Sequence, residues 1–249
     1  MEDIINLVVI NPSIIQPSMM ATYYSHLTQI FAFSDESSLY CAYAWYKLYK
    51  LAITYNKKLT EVDIQMLSTS VLLAALGICP YNRENALHRE VRSDTVAERL
   101  RRMSNILRFG LESKTETAEV YSRDALLKEL SSKAFLSNVP EQVQALYQLM
   151  EHEFNPLGMC KAVDELTEQL SEISRSTSSA CPDISVDLSR HAPSLKFVAV
   201  LKMLQQLSQV YSNMKMSHLA ELVPSMSLSE IESIIVNSVK SRFIKARAS

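Results

Sequence analysis

The chain has 249 residues, 47% of them apolar, and a formal net charge of −2 with a pI near 6.2; it can bury a real core, and any nucleic-acid contact must come from a local patch. Only three glycines occur, Gly77, Gly110 and Gly158, which predicts a mostly helical chain and excludes a Gly-rich phosphate cradle, a P-loop and a nucleophile elbow by count. No apolar run reaches the roughly 18 residues of a membrane span, and Cys41, Cys79, Cys160 and Cys181 form no Cys-x-x-Cys, reading as reduced thiols of a cytosolic or nuclear protein.

Met1 to Val9 reads as the end of a helix carrying Ile4, Ile5, Val8 and Val9, and Asn11-Pro12 and Pro17 punctuate a turn. Apolar residues at three- and four-residue steps predict a helix over 18–33, with Met20, Tyr23, Tyr24, Leu27, Ile30 and Phe31, and another over 36–55. The second is dense in aromatics (Tyr40, Tyr43, Trp45, Tyr46, Tyr49 and Tyr55), a stripe better read as core packing than as base stacking. Leu59, Thr60, Asp63 and Ile64 make a staple-and-box pattern that opens a helix through Leu67, Val71, Leu72 and Leu76, with Gly77 as its C′ residue. Helices are expected over 94–109 and 122–136. The next has Pro140 in its first turn and a stripe of Val143, Leu146, Tyr147, Met150 and Phe154. Asn155 is placed as a cap and Pro156 at N1 of the helix after it, with Met159, Val163, Leu166, Leu170 and Ile173 facing inward. Helices joined by short turns predict an α-solenoid over residues 1–175, although no repeat of fixed period is found. The stretch Ser171 to Ser189 is rich in Ser and Thr, lacks an apolar period, and reads as a linker set at 176–190.

Residues 191–249 read as a separate module. Phe197, Val200, Leu201, Leu204, Leu207 and Tyr211 mark one face of a long helix, with Lys202, Gln205, Gln206 and Gln209 opposite. A short helix around His218–Val223 ends at Pro224. The third helix opens with Ser227 as N-cap, Glu230 at N3 and Met226 and Ile231 as the staple, and its stripe is Leu228, Ile231, Ile235 and Val239. A basic, strand-like tail follows. Three helices leading into a strand is the order of a winged helix, a module that reads DNA, RNA or another protein.

No chemistry needs catalysis to explain it. His26, His88, His152, His191 and His218 never pair at i+3 or i+4, and Glu151-His152-Glu153 fans out around a helix rather than converging. No cofactor, metal or small-molecule substrate is called for. Two basic clusters remain, Arg99, Arg101, Arg102 and Arg108 along one helix, and Lys240, Arg242, Lys245 and Arg247 near the C-terminus. Each reads either as a solvated face or as an auxiliary contact to RNA phosphates.

Ser70-Val-Leu-Leu-Ala-Ala-Leu76, Leu149-Met-Glu-His-Glu-Phe-Asn-Pro-Leu157, Leu204-Gln-Gln-Leu-Ser-Gln-Val-Tyr211 and His218-Leu-Ala-Glu-Leu-Val-Pro224 resemble, in order and spacing, the PCI region of the A subunit of eukaryotic translation initiation factor 3. The resemblance covers most of Met1 to Phe243, and Arg101-Arg102 falls where that family carries a basic pair. It implies an all-α fold, a helical-repeat solenoid followed by a winged helix whose wing is incomplete here. It also implies a non-enzymatic, cytoplasmic scaffold that binds other initiation factor 3 subunits, above all the C subunit, which carries a PCI domain of its own. Small ribosomal subunit proteins and rRNA are further implied partners, with messenger RNA as another candidate and no membrane. Carried over by position, the implied interface between subunits comprises Leu204, Leu207, Tyr211, Leu228, Ile231, Phe243 and Ile244, with an edge strand beginning near Phe243. Members of the family continue beyond both ends of this region, so the sequence reads as part of a longer chain, and Asn82 to Ser93 and the Ser-rich stretch match poorly. Two alternatives stand beside this reading. One is a PCI scaffold of the proteasome lid or signalosome, which the Asn-Pro-Leu and Gln-Gln runs disfavour. The other is a winged-helix nucleic-acid-binding regulator, disfavoured by Glu230 and Glu232 at the start of the third helix.

Overall fold

Ten α-helices account for most of the residues that the computed structural model describes, 17–32, 38–56, 59–81, 122–176 and 187–245, and no strand occurs among them. The predicted helix over 94–109, the one at Met1 to Val9, and residues 177–186 of the Ser-rich stretch lie outside the described residues. The described residues fall into two compact units. One holds those up to Ala75 with 122–138, the other 76–81, 139–176 and 187–245.

In the first unit α1 (Pro17–Phe31) packs along α2 (Ser38–Tyr55). The aromatic stripe of α2 is core: Tyr40, Tyr43, Trp45, Tyr46 and Tyr49 are all buried, and only Tyr55 is exposed. Burying each ring contributes about 2–3 kcal/mol before entropy is counted. Two of the hydroxyls have partners far along the chain: Tyr43 donates to the Ser122 carbonyl at 3.1 Å, and Tyr46 bonds the Glu129 carboxylate, which Lys50 also holds at 2.9 Å. Burial pushes Glu129 up, but these two bonds outweigh it and hold the carboxyl below the usual range.

The helix α3 (Glu61–Leu76) opens on the expected box, the Thr60 N–H and the Asp63 N–H each reaching the other residue's side chain at 3.2 Å. It is not one-faced, however. Every residue from Met66 to Leu76 is buried, as in a helix apolar all round, and Ser68 and Ser70 return their hydroxyls to the carbonyls of Gln65 and Met66. Gly77 does not end it in a left-handed conformation, since no described glycine has positive φ. The predicted helix over 122–136 is two, α4 (Arg123–Leu130) and α5 (Lys133–Leu136). Ser131 closes the first and an extended Ser132 opens the second, because serine favours caps over helix interiors.

The second unit begins with α6 (Glu141–Glu151), where Pro140 is the N-cap rather than a first-turn residue. Val143, Leu146, Tyr147 and Met150 are buried, but the helix stops at Glu151, which leaves Phe154 in the turn and 59% exposed. Asn155 accepts from the Gly158 N–H at 3.0 Å, and Pro156 lies in the turn ahead of α7 (Met159–Ser176). A Cβ on Gly158 would come within 2.8 Å of the Asn155 side chain and displace that bond. Residues 171–176, read as linker, are the last turns of α7, and Leu188–His191 forms a 3₁₀ turn capped by the Asp187 carboxylate. The helices at 141–176 thus belong to the same compact unit as the terminal ones, with α7 packed on both α6 and α8 (Ala192–Val210).

Candidate subunit interface

The terminal helices are built around α8. Its buried residues run most of the way round rather than along one face: Leu195, Val198, Ala199, Val200, Leu201, Met203, Leu204 and Leu207. The opposite side, of Lys202, Gln205, Gln206 and Gln209, is partly committed as well. Lys202, its side chain only 13% exposed, donates from Nζ to the Met150 carbonyl and to Glu151, each at 2.7 Å. A lysine at that point meets the bare carbonyls at the end of α6 and the negative end of its dipole. Gln206 donates to the Glu153 carbonyl at 3.1 Å, and Lys196 pairs with Asp164 of α7 at 2.9 Å.

Against the other side of α8 lie α9 (Met216–Leu222) and α10 (Leu228–Lys240), whose Leu219, Leu222, Ile231 and Ile234 share one cluster with Leu201, Leu204 and Leu207. The expected capping box of α10 is complete, with Glu230 accepting from the Ser227 N–H at 2.7 Å and Ser227 Oγ accepting from the Glu230 N–H at 3.4 Å. Its buried line is Ile231, Ile234 and Ser238, about a quarter-turn from the predicted stripe, with Ile235 and Val239 half-buried. Leu228 and Val236 are consequently exposed, at 44% and 49%, on a face otherwise made of Ser229, Glu232, Ser233, Asn237 and Lys240.

The interface residues expected from sequence therefore divide. Leu204, Leu207, Ile231 and Ile244 are core, and Phe243 is half-buried with its ring 5.3 Å from that of Tyr81. Only Tyr211 and Leu228 present surface. No edge strand begins at Phe243. The chain instead turns back: the Arg242 N–H bonds the Val239 carbonyl at 3.0 Å and the Phe243 N–H that of Ser238 at 2.9 Å. This is a Schellman cap, with Arg242 left-handed at φ 61° in the place glycine usually takes. Sequence reasoning missed Val236, Val210 and Leu157, all exposed; an aliphatic residue on the polar side of α10 was the available signal for the first. Of the basic residues, Lys240, Arg242 and Lys245 are exposed, whereas Arg99, Arg101, Arg102, Arg108 and Arg247 lie outside the described residues.

The Cys160 thiol and the His191 imidazole are both held toward their neutral forms. Burial pushes the Cys160 thiol up to about 12, an inert group whose sulfur lies 3.6 Å from that of Met203. Burial also pushes His191, at the start of α8, down to about 4, helped by Arg190 and opposed by Asp187. Among the described residues no three His, Cys, Asp or Glu side chains converge as metal ligands, and no helix is long and apolar enough to cross a membrane.

Comparison with known proteins bears on this arrangement. A family model described as the TPR-like region of the PCI domain of eIF3a matches residues 1–158, and the PCI domain model matches residues 165–249. The A subunit of eukaryotic translation initiation factor 3 from Arabidopsis thaliana is 41% identical over 244 residues, 98% of this chain and 24% of the relative. The corresponding proteins of Nicotiana tabacum and Homo sapiens are 37% and 29% identical, over 98% and 96% of this chain and 25% and 16% of their own lengths. The chain thus spans about a quarter or less of the curated relatives it matches. With a helical-repeat match followed by a PCI match over an all-α chain, the chain belongs to the PCI-domain family represented by the A subunit of eukaryotic translation initiation factor 3.

Proposed function

We propose that this chain is a non-catalytic, cytoplasmic scaffold of the eukaryotic translation initiation factor 3 complex. In this reading it joins other subunits, in particular the PCI-bearing C subunit, through its terminal helices and helps the assembly bind the small ribosomal subunit through ribosomal proteins and rRNA. The observation that carries the reading is the outer face of α10. Two exposed aliphatic side chains, Leu228 and Val236, stand among Ser229, Glu232, Ser233, Asn237 and Lys240 on a helix whose other face is packed. Apolar anchors within a polar surround suit packing against protein, and Glu230 and Glu232 would repel a phosphate backbone at that end. Tyr211 and Leu228 keep their place in the proposed interface, Val236 joins them, and the buried positions support it from beneath. The Arg101-Arg102 pair remains a candidate contact to rRNA, with messenger RNA a further candidate ligand of the assembly. Affinity purification of the full-length protein followed by mass spectrometry is expected to recover initiation factor subunits and small-subunit ribosomal proteins. Recovery of proteasome-lid or signalosome subunits in their place would overturn the reading.

A further inference from the structure

We propose that the turn closing α10 is a preorganised contact for the phosphate backbone of RNA, made by Lys240, Arg242 and Lys245. This rests on and deepens the proposed association with the ribosome, and it gives the C-terminal end of α10 a role distinct from that of its apolar outer face.

Three observations converge on it. Arg242 is the one non-glycine residue with positive φ among the described residues, at 61°. Any side chain but glycine is disfavoured there, and strain of this kind persists where the surroundings impose it. Here they do. The Phe243 N–H and Ile244 N–H bond the Ser238 carbonyl at 2.9 and 3.3 Å, Ile244 is buried, and Phe243 lies against Tyr81. The second observation is that Lys240, Arg242 and Lys245 are all exposed and have no carboxylate partner among the described residues. The third decides the class of ligand. From residue 237 to 245 the only exposed side chains are Asn237, Lys240, Arg242 and Lys245, because Phe243 is half-buried and Ile244 buried. Val236 stands just before the turn, on the outer face of α10, but from 237 to 245 every exposed side chain is polar or cationic, and cations beside a hydrogen-bonding amide are the composition of a phosphate contact. Cations this close in the chain can engage neighbouring phosphates of one strand.

The test separates stability from binding. In the full chain, Arg242→Gly removes both the strain and the charge, so the melting temperature should rise while affinity for a labelled single-stranded RNA falls. The expected loss is about fivefold at roughly 0.1 M salt, the share of one released counterion, and the salt slope should drop by about 0.7. Lys240→Gln with Lys245→Gln should lower the slope by about twice that. Unchanged RNA affinity in Arg242→Gly, or a lowered melting temperature, would overturn the proposal. So would binding of a labelled polyglutamate as tight as that of RNA, which would assign the turn to an acidic protein. Copurification of initiation factor subunits is expected to survive Arg242→Gly; its absence in the wild-type chain would count against the scaffold reading, not against the RNA contact.

Discussion

The helices α8 and α10 lie in the same core cluster and have opposite characters. α8 is committed on almost every side, its apolar residues to the core and its Lys202, Gln206 and Lys196 to α6, the turn at Glu153 and α7. α10 commits one line, Ile231, Ile234 and Ser238, and leaves a whole face open. A helix held on all sides can transmit position but has no surface to offer; one held on a single side can offer surface because its neighbour holds it still. The difference separates what would support the proposed joint from what would form it.

The largest effect that would test this contrast lies in α8. Leu201 is fully buried, and Leu201→Ala should destabilise the fold by about 2–5 kcal/mol through lost burial and an incompletely collapsed cavity. Chemical denaturation measures it, and a loss below about 1 kcal/mol would show that α8 is not the frame. Next comes the acid response at the head of α8. His191 is held neutral in the fold and titrates near its ordinary value when unfolded, so protonation favours the unfolded chain. The fold carries no penalty from this group above about pH 6.5; the penalty grows as the pH drops and levels off near pH 4, at about 3 kcal/mol. His191→Gln should flatten that window, as read by denaturation at several pH values; an unchanged slope would place the acid sensitivity elsewhere. The smallest effect on stability belongs to α10. Val236→Glu should change folding free energy by no more than about 0.5 kcal/mol, yet it should abolish copurification of the other initiation factor subunits. Intact assembly would remove that face from the joint.

The features legible in the sequence were those closed within a few residues. The boxes at Thr60/Asp63 and Ser227/Glu230 were visible because donor and acceptor sit three positions apart, and the aromatic stripe of α2 was correctly placed in the core. The phase of α10 was not. Ile234, Ile235 and Val236 are consecutive, so periodicity alone could not choose which faces inward, and the structure buries the first and exposes the last. The sequence places Lys202 on the face opposite the apolar one and says nothing of what it meets there. Its partners Met150 and Glu151 are about fifty positions away in sequence, a distance over which local pattern carries no information. Phe154 failed for a third reason. The spacing continued the stripe, but His152 had already closed the helix. Of the positions that the resemblance places at the subunit interface, Tyr211 and Leu228 are exposed. Leu204, Leu207 and Ile231 are buried in the core cluster, and apolar character alone does not say which side of a helix wall a residue occupies.

The bond from Lys202 to α6 sets where the molecule can be cut. A truncated protein starting at Ala192 would strand an ammonium shaped for two acceptors at 2.7 Å, and would strip α8 of Cys160, Cys79 and Tyr81, which pack on the same cluster. The terminal helices are thus not a detachable cassette. A dissection that keeps them folded has to retain the helices from Glu141 onward, and the short stretch at 76–81 as well.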